Sequence, residues 1–199
     1  MSLSIGLVAI QSVHFPRAFL RMDGSNVTQF QGEGSGTVNC QFYRDGDFPI
    51  PNIGNNEVFE LIPLSGDDLI FGIRSLNYPT AFLRIDGSNV TQFQGGGSGT
   101  VNCQYYSSGT YPNEGQTFEL LLLGRGVIIQ NVQYYYIQSG SFLELGNVFV
   151  RMDGSKVTQS DPGGSGTVNC QFYAGGTPVS VQDYELFKFI PLTSYPGPW

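Results

Sequence analysis

Residues 19–43 read FLRMDGSNVTQFQGEGSGTVNCQFY, residues 82–106 read FLRIDGSNVTQFQGGGSGTVNCQYY, and residues 149–173 read FVRMDGSKVTQSDPGGSGTVNCQFY. A chain that carries one segment three times must fold each copy alike, and short repeats that cannot bury a core alone must share one. The copies extend outward in both directions. AIQSVHFP, GIRSLNYP and YIQSGSFL stand upstream, and EVFELIPL, QTFELLLL and DYELFKFIPL stand downstream. Asp23, Asp86 and Asp153 are 63 and 67 positions apart, so each unit occupies about sixty residues. The spacing predicts repeats over about 4–64, 68–123 and 126–192, followed by a C-terminal tail at 193–199.

Inside each unit the apolar period is two. In AFLRMD, Ala18, Leu20 and Met22 fall on one face and Phe19, Arg21 and Asp23 on the other; in TVNCQF, Val38, Cys40 and Phe42 oppose Asn39 and Gln41. DGSN and GEGSG supply the turn chemistry between such segments. QYYYIQ at 133–138 reads as the first strand of the third unit. Helical spacing is not sustained over two turns anywhere, and 27 Gly and 11 Pro are spread through the chain. An all-β fold follows. Three units of about four short strands, closed about a pseudo-threefold axis into one core, describe a single-domain β-trefoil over 1–199; a three-bladed propeller is the weaker alternative, because propellers typically have more blades.

The order I-x-S-x-N-Y-P-x-x-F-L-R from Ile73 to Arg84, then DGSNV, then VNCQ and a closing FEL, resembles the fascin-like, lectin-type β-trefoil repeats. It is also similar to the trefoil carbohydrate-binding modules attached to arabinofuranosidases. The resemblance spans nearly the whole chain and implies the trefoil fold, which hosts lectins, inhibitors and actin bundlers alike.

Nine Lys plus Arg against sixteen Asp plus Glu give a net charge of −7, with no basic cluster. That balance opposes nucleic-acid binding, which depends on cationic neutralisation of phosphate, and disfavours anionic membranes. The N-terminal MSLSIGLVAIQSVHF has no basic region, and its apolar run is too short for a membrane anchor. Cys40, Cys103 and Cys170 sit at one place in each repeat. Three equivalent thiols cannot all pair, and related positions bridge only if their Cα atoms lie within about 7 Å. They read as buried, reduced thiols, which fits a cytoplasmic protein.

The repeated DGSNVTQ brings a carboxylate, amides and a hydroxyl into one hairpin, the mixture of donors and acceptors that vicinal sugar hydroxyls require. Aromatic faces nearby would complete such a site. The candidate ligand-binding residues are therefore Asp23, Asn26, Asn39, Gln41 and Tyr43 in the first repeat, Asp86, Asn89, Asn102, Gln104 and Tyr106 in the second, and Asp153, Asn169, Gln171 and Tyr173 in the third. The same letters have a structural use: Asp and Asn can hold the turn, Arg21, Arg84 and Arg151 can pair with neighbouring Asp, and the Asn and Gln of VNCQ can brace backbone.

His14 is the only histidine, so triad chemistry has little support, and no catalytic residue is assigned. No cofactor or metal is expected, since one carboxylate per loop is too few oxygens for calcium and no His or second Cys accompanies any thiol. The reading is a non-enzymatic lectin with up to three glycan sites, able to agglutinate through multivalency. Two alternatives are a protease inhibitor acting through the diverged loop at 43–57 and a fascin-like cytoskeletal protein.

Overall fold

The computed structural model describes residues 6–44, 53–64, 67–106, 122–129, 132–139, 147–174 and 183–192. Among these the fold is all-β, as expected. Twelve strands occur: β1 (Leu7–Ser12), β2 (Ala18–Asp23), β3 (Thr37–Phe42), β4 (Phe59–Leu64), β5 (Asp67–Ser75), β6 (Ala81–Asp86), β7 (Gly99–Tyr105), β8 (Leu122–Ile129), β9 (Val132–Ser139), β10 (Val148–Asp153), β11 (Gly166–Phe172) and β12 (Phe187–Pro191). A 3₁₀ turn, Asn55–Glu57, leads into β4.

The copied sequence folds as a copied hairpin. β2 pairs β3 from Ala18 opposite Phe42 to Asp23 opposite Thr37. β6 pairs β7 from Ala81 opposite Tyr105 to Asp86 opposite Thr100, and β10 pairs β11 from Val148 opposite Phe172 to Asp153 opposite Thr167. All three registers place Arg opposite Asn and the third apolar residue opposite Cys: Leu20 with Cys40, Leu83 with Cys103, Val150 with Cys170. Longer hairpins join consecutive repeats, β4 with β5 and β8 with β9, and β1 pairs β12 from Val8 opposite Pro191 to Ser12 opposite Phe187. The first repeat is thus tied directly to the third.

One face of each hairpin enters the main core, where Leu20, Met22, Leu83, Ile85, Val150 and Met152 are fully buried with the three cysteines. The opposite face is buried too. Phe19 packs edge-on against Tyr43, Phe82 against Tyr106 and Phe149 against Tyr173, with ring centroids 5.4, 5.7 and 5.8 Å apart. The strict alternation in AFLRMD therefore does not mark one wet face. Each of these phenylalanines stabilises the fold by about 1.5–3 kcal/mol through burial, and together they support the tyrosine that follows each VNCQ segment.

Candidate functional site

The three hairpins lock to one another through the copied GSGTVNCQ segment. The Asn39 side-chain amide donates to the Gly163 carbonyl at 2.6 Å, Asn102 to the Glu33 carbonyl at 2.7 Å, and Asn169 to the Gly96 carbonyl at 2.7 Å. Each repeat thereby grips the glycine loop of the one before it, and the first grips the third. The glutamines follow the same ring. Gln41 donates to the Asp161 carbonyl and accepts from the Asp161 N–H at 3.0 Å, and Gln104 does the same with Gln31, accepting at 3.1 Å. Gln171 accepts from the Gln94 N–H at 3.1 Å.

The thiols close the same circle, with the Sγ of Cys40, Cys103 and Cys170 3.7, 3.7 and 3.5 Å from the carbonyls of Asp153, Asp23 and Asp86. All three cysteines are free and buried. Burial, with the neighbouring carboxylate second, pushes each thiol up to about 12. Reactive or metal-binding thiolate chemistry is thereby suppressed. Two glycines per repeat make room for the ring: a Cβ on Gly36, Gly99 or Gly166 would fall on the Sγ of the partner cysteine, and Gly34, Gly97 and Gly164 take positive φ under the partner asparagine.

The aspartates of DGSN are also engaged. Asp23, Asp86 and Asp153 accept from Arg21, Arg84 and Arg151 at 3.1, 3.2 and 3.2 Å and from the backbone N–H two residues on, capping the turn. For Asp23 the hydrogen bond from Ser25 is the main cause of a lowered pKa. At Asp86 and Asp153 partial burial pushes upward but is outweighed by the bonds from Ser88 or Ser155 and from arginine, so these carboxyls are lowered as well. Asn26 and Asn89 are exposed at the hairpin tips.

Among the described residues, a polar cleft of about 300 Å³ lies where three repeats meet. Arg21, Gln41, Tyr43 and Glu57 form its floor, the segment Gly54–Asn56 forms one wall, and Asn77 of the second repeat and Pro162 of the third complete it. Tyr43 donates to Glu57 Oε2 at 2.9 Å and accepts from the Gly54 N–H at 2.7 Å, while Arg21 Nε lies 3.7 Å from Glu57 Oε1. Burial raises the Glu57 pKa, partly offset by the bond from Tyr43 and the charge of Arg21. Asn77 Nδ2 donates to Asn56 Oδ1 at 2.8 Å across the exposed mouth. Of the residues singled out from sequence, Gln41 and Tyr43 line this cleft, whereas Asp23, Asn26 and Asn39 are not among its lining. Arg21, Asn56, Glu57 and Asn77 were missed. Glu57 had a usable signal, because it stands two residues before the repeated closing phenylalanine, as Glu185 does. Residues 45–52 of the diverged loop lie outside the described residues.

The third repeat builds the same floor. Tyr173 donates to Glu185 Oε2 at 2.8 Å, and Arg151 Nε lies 4.0 Å from Glu185 Oε1. His14, the sole histidine, sits in the bend after β1 against Phe15 and Tyr184. For the second repeat, Arg84, Gln104 and Tyr106 are described, while residues 107–121 and 140–146 are not. Among the described residues no cluster of His, Cys, Asp or Glu could hold a metal ion, and no helix is long and apolar enough to cross a membrane.

No protein-family model matches the chain, and no curated protein matches it. Solved structures do resemble it. The agglutinin of Rhizoctonia solani superposes with a TM-score of 0.53 at 11% identity, covering 96% of this chain and 99% of that one. The lectin of Polyporus squamosus, bound to the human-type influenza-binding epitope Neu5Acα2-6Galβ1-4GlcNAc, superposes with a TM-score of 0.51 at 14% identity. That alignment covers 95% of this chain and 50% of the lectin, so the chain spans about half its length. The fold is therefore one that lectins use. Neither structure lends support to the narrower resemblance to fascin-like repeats or to arabinofuranosidase modules.

Proposed function

We propose that the chain is a non-enzymatic carbohydrate-binding protein, a single-domain β-trefoil whose glycan sites lie in the clefts where repeats meet. The cleft of the first repeat carries the reading. Its mouth presents Asn56 and Asn77, its wall the ring of Pro162, and its floor a tyrosine, a glutamine and an ion pair. Amide side chains both donate and accept, as sugar hydroxyls do, and the proline ring offers an apolar face for ring C–H groups. The volume stands at the lower end of small-molecule sites, which run from roughly 300 to 1,000 Å³. That size suits one sugar residue of a larger glycan. The fold of the two lectins supports the same conclusion.

The test is a glycan array probed with the parent protein and with Asn77→Ala, after circular dichroism shows both folded. Glycan binding by the parent and its loss in the variant are the expected results. A folded parent that binds no glycan overturns the proposal.

A further inference from the structure

The first-repeat cleft and the corresponding place in the third repeat share a floor and differ at the mouth. Their positions correspond by matching hydrogen bonds: Leu76 N–H donates to the Val58 carbonyl at 3.0 Å, and Val13 N–H donates to the Leu186 carbonyl at 3.0 Å. Asn77 therefore corresponds to His14 and Asn56 to Tyr184. In the third repeat these two are rings, not amides. Tyr184 lies over the Arg151 guanidinium, 4.6 Å from its centroid to the guanidinium carbon. His14 and Phe15 hold the tyrosine, with ring centroids 4.6 and 4.9 Å away. Its carbonyl is fixed as well, accepting from the Met152 N–H at 2.9 Å. A second wall is aromatic too, since the exposed Phe93 leans on Tyr173 at 5.5 Å, where the loop serving the first cleft has Ser160.

We infer that Tyr184, held by His14 and Phe15, fills the third-repeat cleft from within, so that of these two clefts the first alone takes a ligand, and that this ligand is an uncharged saccharide residue. The inference rests on the lectin reading of the first cleft. A tyrosine ring stacked on a guanidinium gains cation–π attraction that an incoming sugar would have to displace. At the first cleft Asn56 leaves that space open. The charge preference follows from the residues around Arg21, whose single positive charge faces the carboxylates of both Asp23 and Glu57. A ligand carboxylate would meet an excess of negative charge there.

The experiment exchanges the two mouths. The parent, Asn56→Tyr/Asn77→His and His14→Asn/Tyr184→Asn are probed on an array carrying neutral glycans beside their sialylated forms. The strongest neutral glycan is then titrated into each protein by calorimetry, with circular dichroism as the folding control. The parent is expected to prefer neutral glycans, and Asn56→Tyr/Asn77→His to lose binding while folded. Opening the third cleft is expected to raise the stoichiometry by about one ligand per chain. Retained binding in folded Asn56→Tyr/Asn77→His, a folded His14→Asn/Tyr184→Asn that gains no site, or a preference for sialylated forms overturns the inference and leaves the lectin reading standing. If His14→Asn/Tyr184→Asn does not fold, the Asn56→Tyr/Asn77→His result decides alone. A parent that binds no glycan at all overturns both.

Discussion

The segment GSGTVNCQ is the same in all three repeats, and the mouths of the clefts are different; the two regions divide the work of the molecule between them. At the copied segment asparagine, glutamine and cysteine are turned toward the glycine loop of the preceding repeat, each occupied by a carbonyl or an N–H. At the mouths Asn56 and Asn77 in one repeat stand where Tyr184 and His14 stand in another. Identity among the repeats thus marks the contacts that hold them together. Difference among them falls at the cleft mouths, the surface on which the proposed recognition depends.

The sharpest way to break this division is to disturb the ring and watch stability. Gly36→Ala drives a methyl group into Cys103 Sγ, with Val27 Cγ2 and the Asp23 carbonyl also too close. A loss of about 3 kcal/mol in denaturant unfolding is expected, as for overpacking in a dense core. A variant of near-parental stability would mean that the ring is looser than its packing indicates. Asn102→Ala should cost less, about 1 kcal/mol, since it removes the bond to the Glu33 carbonyl and a long one from Arg84 Nη1, while that carbonyl still accepts from Arg84 at 2.8 Å. Asn77→Ala, at the exposed mouth, should change stability by no more than about 0.5 kcal/mol while reducing glycan binding.

The smallest effect concerns pH. The carboxyls of Asp23, Asp86 and Asp153 are lowered in the fold from an ordinary 3.8, so the unfolded chain takes up protons first on acidification. Their stabilisation is present above that value and is lost as pH falls through the folded pKa values. Glu57 and Glu185 run the other way: raised by burial above 4.5, they favour folding most below that pH and lose the contribution as pH rises through their folded values. Asp153→Asn should flatten the acid limb of an unfolding profile by about 0.3 kcal/mol, because the group is partly exposed. An unchanged acid limb would show that the Arg151 pair contributes nothing to stability.

Much of the fold was legible because a period of two, turn residues and a sixty-residue repeat point the same way. The strands containing AFLRMD and TVNCQF fall where alternation places them. Alternation did not reveal that Phe19 and Arg21 are buried as well, since a strand covered on both faces can keep a polar residue when an ion pair satisfies it. The site was harder to read for a related reason. Copied polar letters suggest either binding or bracing, and the difference lies in partners more than sixty positions away, such as Asn39 with Gly163. Asn56 and Asn77 carry no repeat signal, and only the fold brings them together beside Arg21.

The pairing of β1 with β12 has a consequence for how the chain is made. Val8 waits for Pro191, so on the ribosome that edge of the first strand stays unsatisfied until about 180 further residues have been translated. Growing chains in that condition offer an open strand edge to their neighbours on the same message. Crowded synthesis therefore gives this edge time to pair with another copy of the chain before its own partner strand has emerged.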